Sequence, residues 1–259
     1  MSGRVNRAAR SILEARRTGA LLDTLAPNDQ PRSLEEGYAI QQVVTAEWPD
    51  RIAGWKVGAT SKEVQTLFEV TEPIYGPVFQ SQVFQSPATL SARHFQHRLL
   101  ESEFVFRFGK DMPSRPRPYT RSEIIDAVDA LVPGIEIINP RFRSLTGRHV
   151  SQVVADFCAN GGAVLGKPCS NWRDIDLSSH AVCFSINGAE RQRGTGAIVL
   201  NSPLNVLDWF VNVFSHRGGN IEAGQFVMTG TMTALHAPEP SHTAKADFGL
   251  LGTVEVVFT

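Results

Sequence analysis

Two glutamates stand one residue apart in Leu99-Leu100-Glu101-Ser102-Glu103-Phe104-Val105-Phe106. Side chains alternate along a strand with a period of two, so Glu101 and Glu103 share a face. On an exposed edge this would be ordinary solvated charge. Glu136 shifts that reading. It lies in Gly134-Ile135-Glu136-Ile137-Ile138, an apolar run where an unpaired carboxylate costs several kcal/mol or is forced to protonate. One divalent cation held by Glu101, Glu103 and Glu136, with water or substrate completing its shell, satisfies all three groups. Oxygen-only ligation points to Mg2+ or Mn2+. Zinc recruits histidine or cysteine, and none of the 7 histidines stands at tight ligand spacing to these glutamates. The competing arrangement is a structural cluster, because Arg98, Arg107 and Arg141 are near enough in sequence to neutralise the glutamates without metal.

Lys56 is the next candidate, in the strand-like, glycine-bounded Gly54-Trp55-Lys56-Val57-Gly58. An amine near a cation and away from water has its pKa lowered towards neutrality, which suits proton transfer or stabilisation of an enolate oxygen. A salt bridge to one of the glutamates is the alternative. Asp156 could orient Lys56 or a water, or simply cap a helix. Other motifs carry less. Gly161 to Pro168 imitates a phosphate-binding loop, but Pro168 stands where Ser or Thr must hold magnesium and lacks an amide hydrogen. No Gly-x-Ser-x-Gly elbow occurs, and Cys158 reads as a buried small residue.

The elements that must position these residues follow from periodicity. Residues 5 to 25 carry apolar positions at helical spacing, and Ser33 with Glu36 forms a capping box ahead of Tyr38, Ile40, Val43 and Val44. Thr60 with Glu63 opens a further short helix, and Thr120 with Glu123 one that covers Ile124 to Leu131. Strands are expected at 99 to 108, 134 to 138, 181 to 186 with a hairpin turn at Asn187-Gly188, 225 to 229 and 252 to 258, and an amphipathic helix at 203 to 217. The organisation is a mainly helical part over 1–80 and a β-rich catalytic body over 81–259, or one continuous domain. No internal repeat interrupts it.

The 259 residues, 42% hydrophobic and 20% charged, suffice for a substantial core. With 25 Lys+Arg against 26 Asp+Glu, the chain has no global electrostatic footprint for nucleic acid or an anionic membrane. No apolar run approaches the roughly 20 residues of a membrane helix. The 3 cysteines, an odd number without CxxC spacing, argue against a disulfide framework and for a reducing cytoplasm. Arg4, Arg7, Arg10, Arg16 and Arg17 imitate a transit peptide; a solvated basic face on the first helix is the expectation.

Taken in order, Gly54 to Gly58 with Thr60-Ser61-Lys62, Glu101-x-Glu103, and Gly134-Ile135-Glu136-Ile137 resemble the 2-oxopent-4-enoate hydratase family. That family includes 4-oxalocrotonate decarboxylases and belongs to the fumarylacetoacetate hydrolase superfamily. The resemblance continues through Asp156 to Gly166, Gly194-Thr195-Gly196-Ala197, Ala223-Gly224, Thr229-Gly230, Ala246-Asp247-Phe248 and Leu251-Gly252, nearly the whole chain. It implies an α+β fold with a mixed β-roll or sandwich-like core and a helical N-terminal part. It also implies Mg2+ or Mn2+ on Glu101, Glu103 and Glu136, Lys56 beside the substrate, Thr229, Gly230 and Asn160 as substrate contacts, and a homo-oligomer. The hydrolase branch differs in carrying a His-Glu dyad and an Asp as third ligand.

The implied reactions share one electron sink: a 2-oxo acid chelates the cation, which polarises C2. A hydratase adds water to a 2-hydroxydienoate in meta-cleavage aromatic catabolism, and a decarboxylase reaches the same enolate by losing carbon dioxide. A non-catalytic subunit associated with a related pathway enzyme is the third reading. Two departures bear on substrate. Glu72-Pro73-Ile74-Tyr75-Gly76 stands where the family often has an acidic residue before an aromatic-Gly pair, and Phe157-Cys158-Ala159-Asn160-Gly161 replaces an Asn-Ala-Ser-Ser-Gly type segment.

Overall fold

Alternation of apolar and polar residues, punctuated by glycine turns, divides the chain into two sheets with helices at their margins. The computed structural model describes residues 3–259. Its elements begin with α1 (Gly3–Thr18), α2 (Leu34–Glu47), β1 (Ile52–Gly58), α3 (Lys62–Leu67), β2 (Ile74–Phe79), β3 (Val83–Gln85), β4 (Ala88–Leu90) and β5 (Leu99–Phe108). They continue with α4 (Arg121–Ala127), β6 (Val128–Ile138), α5 (Val150–Ala155), β7 (Asn160–Leu165), β8 (Ala181–Ile186), β9 (Ala189–Thr195), α6 (Pro203–His216), β10 (Phe226–Met228), β11 (Thr243–Asp247) and β12 (Thr253–Phe258).

A 7-stranded sheet runs β2-β1-β10-β5-β6-β7-β3, and a 5-stranded sheet runs β4-β12-β11-β8-β9. In the larger sheet β2 also comes against β7, so the sheet curls on itself and acquires an inside. Its outer face carries Leu100, Phe104, Phe106, Phe108, Ile135 and Ile137, packed in one core with Phe184, Phe210, Val254 and Val256. Its inner face carries a separate apolar plug of Val78, Val105, Val132, Leu165, Phe226 and Met228. Glu101, Glu103, Glu136 and Lys56 have the parity of that inner face. A one-residue slip of β5 would turn its phenylalanines inward and its glutamates into the main core, so burial fixes the register.

The chain therefore has the α+β architecture expected, with differences of detail. α1 stops at Thr18, because Gly19 takes φ 75, a left-handed terminator. Ser61, not Thr60, caps α3. α4 ends at Ala127, because Val128 already pairs with Phe108 in the sheet. The Asn187-Gly188 turn has φ 52 and 77, which suits a two-residue hairpin. In the segment resembling a phosphate-binding loop, Gly161 to Leu165 belong to the buried strand β7, and Lys167 and Pro168 are exposed just beyond it. Strands β1 and β2 lie N-terminal to residue 80 yet belong to the same sheet as β5 to β7.

Arg16 departs from the solvated basic face. Its side chain is buried and its Nε lies 2.7 Å from Asp156 Oδ1, while Nη2 donates to the Asp156 carbonyl and Nη1 to that of Asn160. The guanidinium also covers the Phe157 ring at 4.3 Å. The pair joins α1 to the turn that precedes β7. Arg16→Met leaves a buried carboxylate without its partner and is expected to cost about 3–5 kcal/mol in urea unfolding. The double variant Arg16→Met/Asp156→Asn should recover part of that loss, because it removes the stranded charge.

Candidate active site

Antiparallel pairing of β5 with β6 sets Glu101 directly opposite Glu136 and Glu103 opposite Gly134. One carboxylate oxygen from each of Glu101, Glu103 and Glu136 lies within 4.8 Å of the others. Like charges facing each other across strands are destabilising, and Glu103 and Glu136 are fully buried. Partial compensation is visible. Asn160 Nδ2 donates to Glu136 Oε1 at 2.8 Å, and the Gly230 amide donates to Glu103 Oε2 at 2.7 Å. Lys56 Nζ lies 3.4 Å from Glu136 Oε1 and donates to the Cys158 carbonyl at 3.2 Å.

Compensation is incomplete. Glu103 Oε1 and Glu136 Oε2 are buried without a hydrogen-bond partner among the described residues, a costly condition for a charged oxygen. Burial, opposed by Lys56 and reinforced by Glu136, pushes the Glu101 carboxyl up to about 7. Burial, then Glu136 and Glu101, hold Glu103 well above the usual carboxylate range. Burial pulls Lys56 down, but Glu136 and then Glu101 outweigh it, so its pKa is raised. With no cation in the triad, these carboxylates hold the amine as an ammonium; the lowering expected beside a cation concerns the metal-filled site.

Ionised together, as a bound cation would make them, three carboxylates against one ammonium leave two negative charges, the charge of one divalent cation. Oxygen donors facing one another with two open positions fit Mg2+ or Mn2+. The arginine-neutralised alternative is absent among the described residues. Arg107 pairs with Asp129, Arg98 donates to the Phe95 carbonyl, and Arg141 donates to Gln96 and the Asn139 carbonyl.

Two loops complete the arrangement. Phe157, Cys158 and Ala159 take φ 54, 51 and 63, three successive left-handed residues that cost roughly 1–2 kcal/mol each. This turn delivers the Cys158 carbonyl to Lys56, and it packs so closely that a Cβ on Gly76 would stand 2.4 Å from the Phe157 carbonyl oxygen. Gly230 has φ 93, and a Cβ there would meet Thr60 Oγ1 at 2.1 Å. Only glycine lets the backbone approach Glu103 and Thr60 together.

Of the residues singled out in the sequence, Lys56, Glu101, Glu103, Glu136, Asn160 and Gly230 are brought together. Asn160 and Gly230 meet the carboxylates themselves. Thr229 donates its hydroxyl to the Phe104 carbonyl at 3.0 Å and holds β10 beside β5. Asp156 accepts from Arg16 and, through Oδ2, from the Arg141 amide at 2.6 Å; Lys56 is not among its partners. A cavity of about 740 Å³ opens from Lys56 and Glu101 and is lined also by Thr60, Thr231, Thr233 and Gln192. These four carried no distinguishing signal, since Thr60 read as a helix cap, Thr231 and Thr233 stand in a loop, and Gln192 is one polar residue among several on β9.

No protein-family model matches the chain. It is 30% identical to a 2-keto-4-pentenoate hydratase of Paraburkholderia xenovorans (strain LB400), covering 97% of this chain and 93% of that relative. The chain belongs to that hydratase family. A family member named 4-oxalocrotonate decarboxylase, from Pseudomonas putida, is also 30% identical, over 89% of this chain and 88% of its own. The solved 4-oxalocrotonate decarboxylase from Pseudomonas putida G7, complexed with magnesium and adipate, superposes with a TM-score of 0.89 at 24% identity, covering 98% and 97% of the two chains. The fold is thus that of the fumarylacetoacetate hydrolase superfamily, and the family membership makes the chain an enzyme of the lyase class.

The raised Glu101 carboxyl has a consequence for stability. Its folded pKa, about 7, lies above its ordinary 4.5. Its contribution to stability is therefore fully present below pH 4.5 and is lost as pH rises through about 7, because the folded state binds the proton more tightly. Chelator-treated protein should lose stability across that window. Glu101→Gln should reduce the slope, measured by urea unfolding at a series of pH values.

Proposed function

We propose that the chain is a divalent-metal-dependent hydratase that adds water to a 2-hydroxydienoate, in the meta-cleavage breakdown of aromatic compounds. The observation that carries this reading is the buried triad, short of two charges and two oxygen partners, beside Lys56 at the inner end of the cavity. The hydratase name of a relative over nearly the full chain supports the reaction, and the solved 4-oxalocrotonate decarboxylase holding magnesium and adipate supports a metal beside a carboxylic acid.

Glu101, Glu103 and Glu136 would hold Mg2+ or Mn2+, which supplies Lewis acidity towards the C1 carboxylate and C2 oxygen of a 2-oxo acid. The Gly230 amide and Asn160 fix two of these carboxylates in place. Lys56 supplies ammonium protons where negative charge collects on the C2 oxygen, and the carbonyl of Cys158 sets its direction. The dienol passes to its conjugated 2-oxo-3-enoate tautomer. Water then adds with its oxygen on C4 and its proton on C3, giving a 4-hydroxy-2-oxo acid. Thr60, Thr231 and Thr233 offer hydroxyls along the same wall. Asp156 acts through Arg16 and the turn rather than on substrate, and Thr229 through the strand it anchors. Assembly as a homo-oligomer, association with a related enzyme and a reducing cytoplasm belong to the same proposal. Among the described residues no helix is long and apolar enough to cross a membrane.

Incubation with 2-hydroxypenta-2,4-dienoate and Mg2+ or Mn2+ should yield 4-hydroxy-2-oxopentanoate. Glu136→Gln should abolish both turnover and calorimetric binding of the metal. Lys56→Met should retain metal binding and lower kcat by about 10²–10⁴-fold, the usual weight of a positioned proton donor. Carbon dioxide release from 4-oxalocrotonate, without hydration of the monoacid, would instead assign the decarboxylase reaction.

A further inference from the structure

Identity does not choose among substrates in this family, since relatives with a monoacid name and with a diacid-decarboxylase name are both 30% identical to the chain. The cavity wall does choose. Lys56, Glu63 and Glu101 are the charged residues that line it, and two of them belong to the reacting end. The third, Glu63, is exposed and would repel a distal carboxylate. A second carboxylate moved out of water would therefore find no cation along this wall, an arrangement that costs heavily.

The rest of the wall is uncharged: Thr60, Ser61, Gln192, Thr231 and Thr233 are polar, and most of the others are apolar. Val64, Leu67 and Phe68 come from α3 and its C-terminal end, Leu145 from the segment before α5, Val153 from α5 itself, and Ile198 and Leu235 from the segments that follow β9 and β10. A second observation points the same way. The large hydrophobic side chains exposed among the described residues are Leu67, Ile198, Leu235 and Leu250, and the first three line this cavity. Apolar side chains gathered in the open around one concavity mark a surface that apolar matter covers. A five-carbon dienoate anchored at the carboxylate end would leave most of a cavity of about 740 Å³ unfilled.

We propose that the substrate is a 2-hydroxydienoate monoacid with an uncharged alkyl extension beyond C5, which lies between α3 and the wall formed by Ile198 and Leu235. This rests on the hydratase reading, and names the substrate class of that same site. The extension changes no bond in the reaction: water still adds across C3 and C4, and the alkyl group remains on the product.

The test is a homologous series assayed with Mn2+: 2-hydroxypenta-2,4-dienoate, its 5-methyl, 5-ethyl and 5-propyl homologues, and 2-hydroxyhepta-2,4-diene-1,7-dioate. Each added methylene should raise kcat/KM about fourfold, the gain from burying one CH2. The diacid should fall below the unsubstituted pentadienoate. Leu67→Arg, at a side chain exposed enough to leave the fold intact, should flatten the alkyl series and raise turnover of the diacid. A flat series in the parent protein, or the diacid as best substrate, overturns the proposal. Calorimetry with the saturated 2-oxo acids, from 2-oxopentanoate to 2-oxooctanoate in the presence of Mn2+, separates the two readings. Affinity that climbs with chain length without any hydration keeps the apolar tail and removes the hydratase; hydration with affinity indifferent to length does the reverse.

Discussion

The structure depends on one unfavourable juxtaposition, the facing of Glu101 and Glu136 across β5 and β6 with Glu103 one pleat away. Carboxylates enclosed this way repel one another and lose hydration together. A fold selected for stability alone would place apolar side chains here, as it does at the other end of the same inner face with Val105, Val132 and Leu165. The contrast within one pair of strands is informative. The apolar end closes the curled sheet, and the anionic end is left to whatever supplies two positive charges.

Much of the neighbouring backbone answers to that juxtaposition. The Gly230 amide reaches Glu103 only because the chain turns through φ 93 against Thr60. The left-handed turn at Phe157 to Ala159 delivers a carbonyl to Lys56 and then starts β7 with Asn160, whose amide holds Glu136. Backbone strain of this kind persists where the surroundings over-determine it. Here α1 supplies the constraint through Arg16, which donates to both the Asp156 and Asn160 carbonyls on either side of the turn. A helix far from the carboxylates in sequence is thereby coupled to their geometry.

Strand periodicity made the carboxylates legible. Glu101 and Glu103 share a face by alternation, and the apolar neighbours of Glu136 made its burial an expectation before any register was known. The β5 boundaries, the hairpin at Asn187-Gly188 and α6 followed from the same local patterns. What stayed hidden was long-range. Nothing local in Arg16 distinguishes it from Arg10 or Arg17, yet it alone of the three reaches Asp156. The number of carboxylates around Lys56, which raises its pKa while no cation fills the triad, was hidden too, because it is a property of strand register. Short β2 and β7 escaped because burial on both faces leaves no alternation to read.

The position of Lys56 explains how one site can separate chemistry from recognition. Paired with Glu136 and hydrogen-bonded to the Cys158 carbonyl, it stands between the carboxylates and the cavity. Every fixed positive charge along the lining is thus spent at the reacting end. Beyond it Val64, Leu67, Phe68, Ile198 and Leu235 offer apolar surface beside uncharged polar groups, which rewards a buried methylene and penalises a stranded charge. Reaction type then follows from three glutamates and a lysine locked in by strand register. Substrate choice follows from side chains on α3 and the surrounding loops, which can change without disturbing the register that the glutamates require.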